Sequence, residues 1–217
     1  MKLYYATGAC SLADRISLHE AGLVAEFEKV YLETKTTETG ADFLVINPKG
    51  YVPVLVLDSG DIITENIAVL AWIASQAPDL APAGPLGHIR LLEALAFIST
   101  EIHRGFKQFV TLGAREQERM NAADAISNRF ALIARNLGDL YLLGSRFTVA
   151  DAYLFVTLRW AIQFGVTIPG PLMQYFQRVI ERDSVQEALA EEGLARVHEF
   201  PGNVDRADER HADLARA

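Results

Sequence analysis

The sequence holds one cysteine, Cys10, set in Thr7-Gly8-Ala9-Cys10-Ser11-Leu12, where a short apolar stretch (Lys2 to Ala6) gives way to helical spacing. A thiol at a helix N-terminus meets unpaired N–H groups and the positive end of the helix dipole, and both favour the thiolate. The position therefore predicts a depressed thiol pKa and a nucleophile. The competing reading has equal weight: cysteine is among the most buried residue types, and a single one is often an inert core hydrophobe. With no second cysteine, a dithiol cycle, an intrachain disulfide and a Cys-based zinc site are all excluded. A reactive Cys10 would need an external thiol as its partner.

Two further segments could hold a ligand. Tyr51-Val52-Pro53-Val54 puts a proline at the entry of an apolar run, where it cannot donate to a strand ladder. Were the Val52–Pro53 bond cis, the Val52 N–H and C=O would be left to pair with an extended ligand; the trans bond of an ordinary strand start is the commoner form. Thr64-Glu65-Asn66 opens a helix after a strand. Backbone N–H groups there suit a carboxylate and Glu65 suits an ammonium, although plain helix capping needs no ligand at all. Lys35, Lys49, His103 and Arg104 are positive or can become so, but lysines are mostly solvated surface and a histidine on an apolar helix is usually packed. No metal is expected, because Glu101 and His103 diverge on their helix and the other histidines are scattered. Glycine-rich phosphate loops and a Gly-x-Ser-x-Gly elbow are absent, and Trp72 and Trp160 read as core.

These residues need a scaffold, and periodicity supplies one. Leu12, Ile16, His19 and Leu23 recur at helical spacing, with Gly22 as a stop. Phe27 to Leu32 alternates as a strand, and Val52 to Leu57 is a buried apolar run. Ser59-Gly60-Asp61 is a hairpin turn returning through Ile62-Ile63. The predicted order is β-α-β-(α)-β-β-α, a small four-stranded α/β domain over residues 1–78 with a right-handed crossover between the first two strands. A linker at 79–88, rich in proline and glycine, leads to an all-helical domain at 89–200. Helices are expected at about 86–112, 117–142, 148–164, 171–181 and 184–192, and a polar tail at 201–217. Thr148-Val149-Ala150-Asp151 is a capping-box start in which Asp151 reaches back.

Composition narrows the partners. Of 217 residues, 20 are basic and 28 acidic, a net charge of −8 that argues against nucleic acid. Residues 1–79 carry five of the basic and eleven of the acidic groups, so the acidity concentrates in the first domain. No apolar run approaches the roughly 20 residues of a membrane span, and the start has no signal-peptide core. A reducing cytoplasm is the expected compartment.

Taken together, five ordered segments resemble the glutathione S-transferases, specifically the bacterial beta class. They are Leu3-Tyr4-Tyr5 through Gly8-Ala9-Cys10-Ser11-Leu12, Ile46 through Leu55, Thr64-Glu65, Phe97 through Arg104, and Phe147 through Asp151. The resemblance implies an N-terminal thioredoxin-like domain that binds glutathione, a C-terminal helical bundle that holds a small hydrophobic electrophile, and a cytoplasmic homodimer active in detoxification. It places Cys10 by the glutathione sulfur, with Tyr51 beside Val52, and pairs Val52, before a cis Pro53, with the cysteinyl backbone. Glu65 and Asn66 hold the γ-glutamyl end, Lys35 approaches the glycyl end, and His103 and Arg104 come from the helical side. Tyr5 is a second catalytic candidate, because other classes use an N-terminal tyrosine hydroxyl. Thr7 stands where relatives have proline, Asn66 where Ser or Gly is usual, and Arg104 where lysine is usual. Ala96 stands where relatives place an asparagine that reaches the other subunit's glutathione, so weaker glutathione binding is expected. Besides conjugation, two other activities fit: glutathione-dependent disulfide exchange through Cys10, and non-enzymatic binding of apolar ligands.

Overall fold

The computed structural model describes residues 1–194; the expected tail, and the end of the last domain from 195 on, lie outside the described residues. Strand β1 (Lys2–Tyr5) leads through helix α1 (Ser11–Glu20) to β2 (Glu26–Tyr31), which pairs with β1 in parallel as a crossover requires. There follow β3 (Thr36–Thr37), α2 (Phe43–Ile46), β4 (Val54–Val56), β5 (Ile62–Thr64) and α3 (Asn66–Gln76). The sheet order is β3-β2-β1-β4-β5, and β4 runs antiparallel to both β1 and β5. This is the thioredoxin-like arrangement expected, with one strand more than the four predicted. The extra strand has two residues and follows Lys35 at φ 56°, so hydrophobic alternation could not announce it.

The second layer is helical. A single rod was expected at 86–112. Instead α4 (Gly87–Phe97) continues through a π-helical turn (Ile98–Ile102) and a 3-10 turn (His103–Phe106) into α5 (Lys107–Val110). Then come α6 (Glu116–Arg135), α7 (Val149–Phe164), α8 (Gly170–Ile180) and α9 (Asp183–Glu191). Helix α6 ends seven residues before the expected 142. A Cβ on Gly138 would lie 2.5 Å from Gly144 N and 2.6 Å from Tyr141 O, a tight turn that helical spacing did not reveal. The expected linker is partly structured too, since Pro78–Leu80 forms a 3-10 turn and buries Leu80.

One continuous hydrophobic cluster joins the layers, running from Leu3 and Leu12 through Leu70 and Ile98 to Trp160 and Leu189. Helix α7 is buried along most of its length, which its apolar composition on every face dictates. Its N-terminus is fixed by Asp151, whose carboxylate accepts from the N–H groups of Thr148 and Leu142 (2.7 Å each), from Thr148 Oγ1 (2.7 Å) and from the Tyr175 hydroxyl (2.8 Å). Thus the carboxylate ties together the loop before α7, the helix start and α8. Asp151→Ala would leave these buried donors unpaired, at an expected cost of about 3 kcal/mol. That corresponds to a Tm lowered by roughly 6–12 °C in scanning calorimetry; a loss below about 2 °C would contradict this role.

Candidate active site

A cleft of about 850 Å³ opens between the sheet layer and the helical layer. From the sheet layer it is lined by Cys10, Tyr51, Val52, Pro53, Glu65, Asn66 and Ile67; from the helical layer by Ser99, Thr100, His103, Arg104, Lys107, Tyr153 and the apolar Val110 and Leu112. Eight of the ten predicted site residues therefore face one cleft. The helical side meets it through the π and 3-10 turns, which break the α repeat where Ser99, Thr100, His103 and Arg104 stand. Local departures of this kind are frequent at functional sites.

Cys10 precedes α1 and is 1% exposed, its Sγ 3.8 Å from the Val52 carbonyl. The Val52–Pro53 bond is cis. The expected depression of the thiol pKa is reversed. Burial pushes the Cys10 thiol up, the Asp14 charge adds to the rise, and the N–H groups of Ser11 and Cys10 itself offset only part of it. The helix N-terminus was correctly located, but desolvation of the charged form outweighs its field.

Glu65 sits at φ 74°, a strained backbone for a side chain with a Cβ, at the entrance to α3. Its carboxylate accepts from Lys49 Nζ (2.5 Å) and the Tyr51 hydroxyl (2.7 Å), and these donors hold its pKa below the ordinary value. Asn66 is buried and, with its amide nitrogen turned inward, donates to Cys10 O (3.2 Å) and Asp14 Oδ2 (2.8 Å). On the helical side His103 Nδ1 and the Tyr153 hydroxyl are 2.6 Å apart, and the His103 ring meets Trp160 edge-on. Burial pushes the Tyr153 hydroxyl well up.

Two predicted residues lie elsewhere. Tyr5 is nearly buried and does not line the cleft; the Arg15 guanidinium lies 4.0 Å from its ring centroid, and burial raises its pKa. Lys35 also stands off the cleft wall and donates to the Gly50 carbonyl (2.6 Å), one residue before Tyr51. His19, Glu187 and Glu191 form a group with metal-ligand spacing outside the cleft; His19 Nε2 lies 2.8 Å from Glu191 and Nδ1 3.7 Å from Glu187, and Glu191 also pairs with Arg15 at 3.0 Å.

Some supporting residues had no local sequence signal. The N–H of Gly8 donates to Glu192 (2.7 Å), and the Gly8 carbonyl accepts from the Trp160 indole (2.9 Å). Hence the helical layer holds both faces of the turn that carries Cys10. The Glu192 side chain is wholly buried; Arg15 Nε lies 3.5 Å from it and the Arg159 charge acts on it. Burial pushes Glu192 up to about 7 against the pull of Gly8 N–H, Arg15 and Arg159. Trp160 was assigned to the core and does lie there, but its indole N–H has this second task. Only Asp14, one helical turn after Cys10, could have been found from spacing.

Comparison with known proteins gives the family. Residues 9–76 match the family model described as "Glutathione S-transferase, N-terminal domain", and residues 93–183 match "Glutathione S-transferase, C-terminal domain". Glutathione S-transferase GstA of Escherichia coli O157:H7 is 38% identical over 200 residues, covering 89% of this chain and all of that protein. A sphingomonad glutathione S-transferase, solved in complex with glutathione, is 42% identical with a TM-score of 0.84, covering 90% of this chain and all of that one. The bacterial beta class enzyme of Sphingomonas chungbukensis gives 42% and 0.83 with the same coverage. The chain belongs to the glutathione S-transferase family, in its bacterial beta class, and is a transferase.

The Gly8 clamp leads to a direct test. Glu192→Ala removes the acceptor for Gly8 and a partner of buried Arg15, at an expected cost of about 3–5 kcal/mol. Glu192→Gln keeps an acceptor oxygen and is expected to recover part of that loss in urea unfolding. Equal stability of the two variants would mean that the Gly8 hydrogen bond contributes nothing.

Proposed function

We propose that the protein conjugates the thiolate of glutathione to small hydrophobic electrophiles. The observation that carries this is the cleft itself: a wall of strand-end backbone and helix N-terminus faces a wall with apolar side chains at 110 and 112, and a neutral thiol lies between them. In this reading Val52 pairs with the cysteinyl backbone of glutathione. Glu65 and the start of α3 at Asn66 take the γ-glutamyl ammonium and carboxylate. Arg104 supplies positive charge from the helical side, and Lys35, anchored on Gly50, is assigned the glycyl carboxylate.

The chemistry follows from the charges. The free glutathione thiol resembles that of cysteine, about 8.5, so only a few per cent is thiolate at neutral pH. Cys10, held neutral, donates its S–H to the glutathione sulfur, and His103 and Arg104 favour the anion from the opposite wall. The glutathione thiol releases its proton to solvent; the thiolate attacks the electrophilic carbon, a C–S bond forms, and the leaving group departs with the bonding electron pair. Tyr5, packed under Arg15, receives no role. Burial of Cys10 speaks against disulfide exchange as the main activity, because exchange needs Cys10 as the attacking thiolate.

We further assign a cytoplasmic homodimer. One free, buried cysteine suits a reducing compartment, and among the described residues no helix is long and apolar enough to cross a membrane. Ala96 is exposed on α4 and offers no amide to a second subunit's glutathione.

The test is glutathione addition to an aryl halide by purified protein. Acceleration over the buffer rate is expected, and Arg104→Ala is expected to raise KM for glutathione about tenfold, the worth of one charge-assisted contact. Absence of both glutathione binding in calorimetry and acceleration would overturn this function.

A further inference from the structure

We propose that Lys107 selects the second substrate: it takes an anionic group, a carboxylate being the simplest, on an electrophile whose apolar body lies against Val110 and Leu112. The inference rests on the glutathione transferase function above and deepens it by naming the class of electrophile, an apolar acid rather than a neutral apolar molecule.

The helical wall supplies the geometry. Arg104 stands in the 3-10 turn (His103–Phe106) and Lys107 opens α5 (Lys107–Val110). Residues three apart eclipse in a 3-10 turn and share a face in an α-helix. Arg104, Lys107 and Val110 therefore form one row, and all three line the cleft, with Leu112 beyond them. Along this row the wall changes from cationic to apolar. Lys107 is the middle member, one turn from Arg104 on one side and one turn from Val110 on the other. Val110 is 8% exposed and Leu112 is 84% exposed, so the apolar end runs from a nearly buried side chain to one standing in solvent.

The charge balance of the cleft points the same way. Glu65 is the only acid among the described residues that line it, and it is held by Lys49 and the Tyr51 hydroxyl. Glu101, on the same run of turns as Arg104, pairs instead with Arg129 of α6. Arg104 and Lys107 have no ion pair and no side-chain hydrogen bond among the described residues. A chain of net charge −8 thus leaves two cations unmatched, side by side, on one wall of its cleft. Like charges one turn apart repel, and a bound anion removes that cost. Glutathione carries two carboxylates and one ammonium. In the function above its carboxylates fall to Lys35 and the α3 N-terminus, and Arg104 serves the glutathione anion from the helical side. Lys107 remains, at the apolar end where the electrophile lies. Its stem can follow an apolar ring while its ammonium pairs with an acid on that ring.

The test compares two electrophiles that differ by one charge: a chlorodinitrobenzoate with its chlorine para to the carboxylate, and the methyl ester of the same acid. Each rate is divided by its own rate in buffer. With both, the glutathione sulfur forms the C–S bond and chloride leaves with the bonding pair, so the carboxylate is a handle and does not react. Lys107→Gln is expected to raise KM for the benzoate about tenfold, the worth of one charge-assisted contact, with kcat little changed. KM for the ester and KM for glutathione are expected to stay within about twofold, the scale of an ordinary surface substitution. Lys107→Arg keeps the charge and is expected to retain the parent KM for the benzoate. Equal effects on the two electrophiles, or no effect on either, overturn the proposal. A rise in KM for glutathione also overturns it, by giving Lys107 to a glutathione carboxylate. Absence of acceleration with both electrophiles is failure of the transferase function, and it is separable, because the two conjugates, prepared chemically, report binding without turnover. In calorimetry the acid conjugate is expected to bind the parent protein about tenfold more tightly than the ester conjugate, and to lose that margin in Lys107→Gln. Equal affinities, or binding of neither conjugate, overturn the proposal.

Discussion

The site depends on how one glycine is held. Gly8, at φ 71°, makes the turn between β1 and α1, and both of its peptide groups are claimed by residues more than 150 positions away in the chain, Trp160 and Glu192. A thiol on an ordinary surface loop would be free to move; here the loop is pinned by the layer that forms the opposite wall of the cleft. The pin has its own requirements. A buried Glu192 needs Arg15 and Arg159, and Arg15 in turn lies against the rings of Tyr5 and Phe27. A charged cluster therefore sits at the junction of the two layers, inside an otherwise continuous apolar core. Its cost in desolvation is offset only while every partner is in place.

The same desolvation explains why Cys10 departs from the expectation raised by its position. A helix N-terminus contributes a favourable field worth up to about 2 kcal/mol in a good geometry, whereas full burial can shift a pKa by several units in the other direction. The cleft thus holds a thiol whose burial favours the neutral form over the thiolate. An acidic protein that binds an anionic peptide also needs local compensation. Lys49 is already paired with Glu65; in the function proposed above, the α3 N-terminus, Lys35 and Arg104 meet the carboxylates.

Much of this was legible in the sequence, and the boundary is physical. Cys10, Val52-Pro53 and Glu65-Asn66 stand at ends of strands and helices, where Gly, Pro and Thr mark the boundaries locally. Those segments, with Phe97 to Arg104, were enough to assemble the cleft. Interactions between distant segments left no such marks. Nothing around Glu192 or Trp160 points to Gly8, and nothing around Tyr5 announces that Arg15 would cover it. The sign of the Cys10 shift was hidden for the same reason, because burial is a property of the assembled layers. The two-residue β3, the early end of α6 at Arg135 and the π turn at Ile98–Ile102 were missed because backbone hydrogen bonds and close approach set them, without any change in hydrophobic period.

The central claim is that the turn before Cys10 is fixed by the helical layer. Hydrogen exchange at the Gly8 amide measures this most directly. If Glu192 holds that N–H, its protection matches that of core amides in β1 such as Leu3, and exchange requires global unfolding. If Gly8 instead exchanges as fast as Gly60 in the exposed hairpin turn, the turn is free and the account is wrong.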